Sequence, residues 1–232
     1  MRQDLRFSLC AIVLPLCLMA PLWAQVTKQN LDLPYDAIGD GEDEEEAPEI
    51  VTFYGTTLEA DAFFYVIDRS GSMSNNNELE AAKREVRKNL TEFSDRVQFG
   101  IFFVDKDLKQ FPAGGQPAVA NPGMKGSAMS FLQSFQVGGG SCPGAGFVAA
   151  LRMANQATSQ RKVVVYVGDG GGTCHGADEA QYLQKTLGEV SAQNYQRATI
   201  NTVGVVEVSG LREKFLRALA GGNGGTYTFI AR

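Results

Sequence analysis

Three stretches of the chain are nearly unbroken apolar runs: Phe63 to Ile67 (FFYVI), Val97 to Val104 (VQFGIFFV) and Lys162 to Val167 (KVVVYV). Runs of that length and make-up predict strands buried on both faces, as in a parallel sheet covered by helices on each side. Thr199 to Val206 and Thr226 to Ile230 predict two more strands. Between the strands the apolar period changes to that of a helix. Leu79, Ala82, Val86, Leu90 and Phe93 make one stripe over Glu78 to Phe93, with Lys83, Arg84, Arg87 and Lys88 expected to face outward. Ser74 or one of Asn75 to Asn77 is the expected cap of that helix. Asn121-Pro122 opens a second helical stretch on Met124, Ala128, Phe131, Leu132 and Phe135, and Pro143 starts a third on Phe147, Val148, Leu151 and Ala154. Ala177 to Ala192 and Leu211 to Ala220 predict the last two helices.

Two segments read as hairpins. Ile50 to Tyr54 and Thr57 to Ala62 turn across Gly55. Lys109 to Ala120, with Pro112, Gly114, Gly115 and Pro117, suggests a hairpin with a short edge strand, where proline is tolerated. Strands alternating with helices predict an α/β fold with a doubly wound, mostly parallel central sheet over residues 50–232.

The ends of the chain have a different character. Residues 1–24 carry Arg2 and Arg6, an apolar run from Phe7 to Ala20 broken by Pro15, and the small residue Ala24, a pattern that predicts a secretory signal. An uncleaved anchor is the competing reading, for which the run is short. Residues 25–49 hold Pro34, Gly39, Gly41 and the run Glu42-Asp43-Glu44-Glu45-Glu46 with few large apolar side chains. Such a segment cannot bury enough surface to order itself and reads as an acidic, disordered linker. Of the net charge of −5, residues 25–50 contribute −8, while residues 51–232 carry eighteen basic against sixteen acidic residues. The domain is therefore close to neutral, and nothing in it matches a basic nucleic-acid footprint. These features predict a chain that is secreted or held in the periplasm or cell envelope, with no membrane span once the signal is cleaved.

The chemistry sits where strands end. Phe63 to Ile67 delivers Asp68, Ser70 and Ser72 at alternate positions of the loop DRSGSM. In an open α/β sheet ligands bind at such strand ends, and one carboxylate with two hydroxyls is a hard oxygen set suited to Mg²⁺, Mn²⁺ or Ca²⁺. A Ser-rich turn using Asp68 as a local cap is the plainer alternative. The D-x-S-x-S loop after an apolar strand resembles the metal-ion-dependent adhesion site of von Willebrand factor type A domains. Two further segments fit that family's pattern. GGSCPGAG stands in the place of its Gly-rich loop at a helix start, with Ser141 where threonine is usual. Gly168-Asp169-Gly170 stands in the place of Thr-Asp-Gly, with Asp169 at the functional position. The resemblance covers about Phe53 to Arg232 and implies a cation held by Asp68, Ser70, Ser72, Ser141 and Asp169. That cation would bridge to an Asp or Glu carboxylate on a protein partner. The fold is expected without the family's usual helix after the last strand, and so without a switch built on that helix. If the resemblance holds, Cys142 and Cys174 lie on loops that converge on one metal, which implies a disulfide between them in an oxidising compartment.

Other chemistries fit less well. DRSGSM lacks the dinucleotide fingerprint G-x-G-x-x-G, and Ser70 removes the second acid that a D-x-D phosphatase needs. No G-x-S-x-G elbow surrounds Ser70, Ser72 or Ser141. His175, the single histidine, would have to serve Cys142 in a cysteine-nucleophile arrangement with nothing evident to orient it. Met73, Phe102 and Phe103 are expected in the core. The sequence therefore points to an extracytoplasmic binding module and not an enzyme. A cation-dependent hydrolase, or the same fold binding a protein through its loops without metal, remain as alternatives.

Overall fold

The computed structural model describes residues 47–231 apart from 207 and 209, so the expected signal and nearly all of the expected linker lie outside the described residues. The chain enters through an antiparallel hairpin of β1 (Glu49–Phe53) and β2 (Thr56–Ala60). Tyr54 and Gly55 turn it with φ of 47° and 78°, the paired left-handed conformation that matches the twist of two-residue hairpins. Glu49, assigned to the linker by composition, pairs with Ala60 and accepts a hydrogen bond from Ser94 Oγ at 2.7 Å.

The seven-stranded sheet runs in the order β5-β4-β3-β7-β8-β9, with β6 also on β4. β3 (Ala62–Asp68) lies parallel to both β4 (Gln98–Val104) and β7 (Lys162–Gly168), and β8 (Thr199–Val205) and β9 (Tyr227–Ile230) continue the parallel series. β5 (Leu108–Phe111) and β6 (Ala118–Val119) are antiparallel. The predicted Lys109–Ala120 hairpin is therefore not a hairpin of its own. Both of its strands pair with β4, because β4 supplies the ladder at either end and leaves Pro112 to Pro117 as the connecting loop.

α1 (Glu78–Glu92) and α2 (Pro122–Gln133) cover one face; α3 (Pro143–Ala154), α4 (Glu179–Gln193) and α5 (Gly210–Gly222) cover the other. The alternation of β3 divides the core accordingly. Phe63, Tyr65 and Ile67 join Leu79, Val86 and Phe103, while Phe64 and Val66 join Phe147, Leu151 and Tyr166. Met73, Phe102 and Phe103 are fully buried, as expected.

Two expectations for α1 fail. Lys83 is buried, not outward: its Nζ reaches Glu80 Oε1 at 2.6 Å and the carbonyl of Phe135, so the buried charge is met by oxygen from its own helix and from the end of the α2 segment. No side chain caps the helix. Asn77 at that position has φ of 60° after Asn76 at 49°, a double left-handed turn in place of the extended backbone of a capping residue. Among the described residues no helix is long and apolar enough to cross a membrane.

Asn89 is the polar pin of the first face. Fully buried, it accepts from Tyr65 Oη at 2.8 Å and donates to the carbonyl of Thr52 at 2.9 Å, so one amide joins the hairpin, α1 and β3. Removing it strands a buried hydroxyl and a carbonyl. Asn89→Ala is expected to cost about 2–4 kcal/mol in chemical unfolding, and the Asn89→Ala, Tyr65→Phe double variant less than the sum of its parts.

Candidate functional site

The chain leaves β3 towards β4 on one side and returns to β7 on the other, so β3 and β7 flank the point where strand order reverses. Ligand sites of open α/β sheets form at that place, beyond the carboxyl ends of the strands. Asp68 ends β3, and Asp169 follows the last residue of its neighbour β7.

Asp68 is fully buried. Its Oδ1 accepts the Ser70 N–H at 2.7 Å, which closes the DRSGS turn, and its Oδ2 accepts from Tyr166 Oη at 3.3 Å with Ser141 Oγ 3.5 Å away. Ser70 Oγ and Ser72 Oγ lie 3.0 Å apart, and Ser141 Oγ donates to the carbonyl of Gly171 at 2.6 Å. Ser70, Ser72, Ser141, Asp169 and Arg212 line an open pocket of about 260 Å³, and Asp68 lies buried behind it, in contact with Ser70 and Ser141. All five residues singled out from sequence are thus brought together.

The loop that carries them is held from outside. Arg69 turns away from the pocket to pair with Asp105 at 2.9 Å and to donate to the carbonyl of Gln136 at 3.2 Å. Its own carbonyl accepts the Gly138 N–H at 2.7 Å. A β-carbon at Gly138 would stand 2.0 Å from Asp105 Oδ2, so only glycine permits this tie.

The electrostatics are unbalanced. Burial, and then the charge of Asp169, raise the Asp68 carboxyl from its ordinary 3.8 to about 7, although hydrogen bonds from Ser70 and Tyr166 pull the other way. Burial, with the charges of Asp68 and Asp169, drives the Tyr166 hydroxyl well above its ordinary value, so it stays a donor. Two carboxylates, three hydroxyls and a deficit of positive charge at the floor suit a small divalent cation whose remaining positions face the opening.

Residues 63–172 match the sequence profile of the von Willebrand factor type A domain. That stretch has the sequence of a von Willebrand factor type A domain. Solved structures carry the same fold. A type A protein from Catenulispora acidiphila superposes with a TM-score of 0.65 at 22% identity over 76% of this chain and 40% of its own. The pilus adhesin SpaC of Lactobacillus rhamnosus GG, in its open conformation, gives 0.60 at 15% identity, over 75% of this chain and 28% of its own. Proximal thread matrix protein 1 from the mussel byssus, with a zinc-occupied metal-ion-dependent adhesion site, gives 0.53 at 17% identity, over 72% and 41%. The chain therefore spans less than half the length of these three proteins. No curated protein sequence matches it.

Three residues of this type A domain's site escape sequence reading. Tyr166 sits inside the apolar run of β7 and reads as core, yet its hydroxyl reaches Asp68. A β-carbon on Gly168, which stands where the family has threonine, would meet that hydroxyl at 2.4 Å and Asp68 Cβ at 2.6 Å. The tyrosine thus fills the space a side chain there would need. Arg212, near the start of α5, pairs with Asp169 at 2.9 Å and with Glu179 at 2.9 Å. Arg212 and Glu179 lie in ordinary amphipathic helices with no local signal.

The two cysteines form the disulfide that the resemblance implied. Cys142 and Cys174 are bonded, with Cα atoms 4.6 Å apart and a sequence separation of 32. This joins the Ser141 loop to the loop after Asp169 and ends the cysteine-nucleophile reading. His175 is left exposed beside the bond.

Two outcomes follow from this geometry. The raised value of Asp68 means the native domain holds its proton more tightly than the unfolded chain does. In chelator its contribution to stability is therefore greatest below pH 3.8 and is lost as pH rises to about 7. Asp68→Asn keeps the shape without the charge. It is expected to melt several degrees above the parent at pH 8 in chelator and close to it at pH 4, a difference of at most about 4 kcal/mol. Equal melting at pH 8 would show that the carboxylate is not strained. The Cys142→Ala, Cys174→Ala double variant is expected to lose about 3–4 kcal/mol through loop-closure entropy, read by chemical unfolding without reductant.

Proposed function

We propose that this type A domain is an extracytoplasmic protein-binding module that holds a divalent cation and uses it to recruit an acidic side chain of a partner. The observation that carries the reading is the convergence of Ser70, Ser72, Ser141 and Asp169 from three separate segments on one open pocket at the switch point of the sheet, with Asp68 buried directly behind Ser70 and Ser141. In this reading the two carboxylates and three hydroxyls hold the ion, with Mg²⁺ the expected occupant and Mn²⁺ or Ca²⁺ as alternatives of the same hard class. When bound, such an ion supplies a Lewis-acidic position at the opening, which water or an incoming carboxylate completes.

Fold relatives support the idea by analogy: one is a pilus adhesin and another has its metal-ion-dependent adhesion site occupied by zinc. The signal-like pattern of residues 1–24 and the Cys142–Cys174 bond support an oxidising location, in the periplasm, cell envelope or outside the cell. Binding is preferred to hydrolysis because the groups a hydrolase would use for proton transfer are engaged. Asp169 and Glu179 are paired with Arg212, and Cys142 is in a disulfide.

Calorimetric titration of the purified chain at pH 8 with Mg²⁺, Mn²⁺ and Ca²⁺ tests the first half. One ion per domain and a higher melting temperature are expected, both abolished by Asp68→Ala. No heat and no thermal shift with any of the three would sink the metal reading. For the second half, extracellular proteins captured on the immobilised domain in Mg²⁺ are expected to elute with chelator. Retention through the chelator wash would mean that the loops bind without the ion.

A further inference from the structure

Arg212 is the one cationic side chain on the pocket wall, and it comes from the helix to which sequence reading assigned no chemistry. It donates from Nη1 to Asp169 Oδ2 and from Nε to Glu179 Oε1, each at 2.9 Å. The other oxygen of Asp169 takes the Gly171 N–H at 2.8 Å, and Glu179 Oε1 also takes the Gly172 N–H at 3.2 Å. Both oxygens of Asp169 are thus engaged within the chain itself. Asp68 is treated differently: its partners, Ser70, Tyr166 and Ser141, are all neutral. The two carboxylates are therefore not equivalent. One is compensated by a full positive charge from α5, and the other waits for one.

A guanidinium and a divalent cation compete for the same lone pairs. Arg212 is also well placed to yield. Its side chain is 36% exposed, whereas that of Asp169 is only 8% exposed, and Glu179 keeps hold of Nε when Nη1 lets go. Buried carboxylates cannot be left side by side without compensation, so a removable counter-ion lets the empty pocket persist in a folded domain.

We propose that Arg212 is a resident counter-ion of the site: it neutralises Asp169 when no cation is held and surrenders that oxygen as a cation takes the pocket. Occupancy of the pocket is thereby coupled to the first turn of α5, where Arg212 is the third residue. The proposal rests on the cation reading above. It predicts opposite signs for two properties that a merely structural arginine would move together. Losing Arg212 makes the empty domain less stable and the cation tighter.

The test uses the full chain, with free Mn²⁺ followed by electron paramagnetic resonance and melting followed in chelator. Arg212→Gln is expected to melt below the parent in chelator yet bind Mn²⁺ at least about tenfold more tightly, because one opposing charge a few ångströms from the ion is gone. Arg212→Lys keeps the charge without the two-pronged geometry and is expected to fall between them. Glu179→Gln, which leaves Arg212 wholly to Asp169, is expected to weaken Mn²⁺ binding and provides a second reading should Arg212→Gln not fold. Equal or weaker Mn²⁺ binding by Arg212→Gln, or unchanged binding by Glu179→Gln, overturns the counter-ion. Absence of Mn²⁺ binding in the parent and all variants overturns the cation reading and this proposal with it.

Discussion

Two carboxylates placed at the ends of adjacent parallel strands, in a region with little water, repel each other. Asp68 and Asp169 are so placed because β3 and β7 are neighbours in register and both stop at the same level of the sheet. Burial raises the cost further, since a desolvated charge has lost the solvent that would screen it. Each of the surrounding features answers that cost. The Ser70 N–H is turned onto Asp68 by the tight DRSGS loop, and Tyr166 lays a hydroxyl against its second oxygen. Gly171 and Arg212 take up the oxygens of Asp169. Among the described residues no positive charge is paired with Asp68, and that gap is the chemical argument for a cation.

The parity of a single strand decides which half of the molecule carries this chemistry. Along β3, Phe63, Tyr65 and Ile67 pack under α1 and α2, where Phe93, Phe99, Phe103, Phe111, Phe131 and Phe135 form a nearly continuous aromatic network. Phe64 and Val66 face the other way, and Asp68 continues their row towards α3 and α4. A shift of one residue in the register of β3 would carry Asp68 to the aromatic side, away from Ser141 and Tyr166. The register is fixed by the core, so packing far below the pocket governs the site.

The fold was legible wherever the signal was local. Apolar runs such as FFYVI and KVVVYV can only be satisfied by strands covered on both faces, and helical stripes between them leave few topologies open. The three site segments were legible for the same reason: each places its polar residues directly after a strand or at a helix start. What sequence could not reveal depends on contacts between distant residues. Arg212 looks like any other basic residue of an amphipathic helix until α5 is laid over β8 and the side chain reaches Asp169 at the end of neighbouring β7. Lys83 occupies an outward-looking position of its helix, and its burial depends on the carbonyl of Phe135, 52 residues away, as well as on Glu80 one turn back. β6 has two residues and no pattern of its own; its pairing is imposed by β4.

The pair Tyr166 and Gly168 illustrates how such a site tolerates change. Judged alone, a glycine before Asp169 removes a hydroxyl from the family's pattern. In the fold, a side chain at that position would collide with Tyr166 Oη and with Asp68 Cβ, and the tyrosine hydroxyl itself now donates to Asp68. The loss and the gain are one rearrangement, made by two residues of the same strand that point to the same face. A hydroxyl reaching Asp68 from two residues earlier does locally what a neighbouring side chain would do, and it brings an aromatic ring that packs on Phe147 at 5.1 Å between centroids. The floor of the pocket is thereby built into the core of α3, so a cation drawn to Asp68 would act on a carboxylate whose position is set by hydrophobic packing as well as by hydrogen bonds.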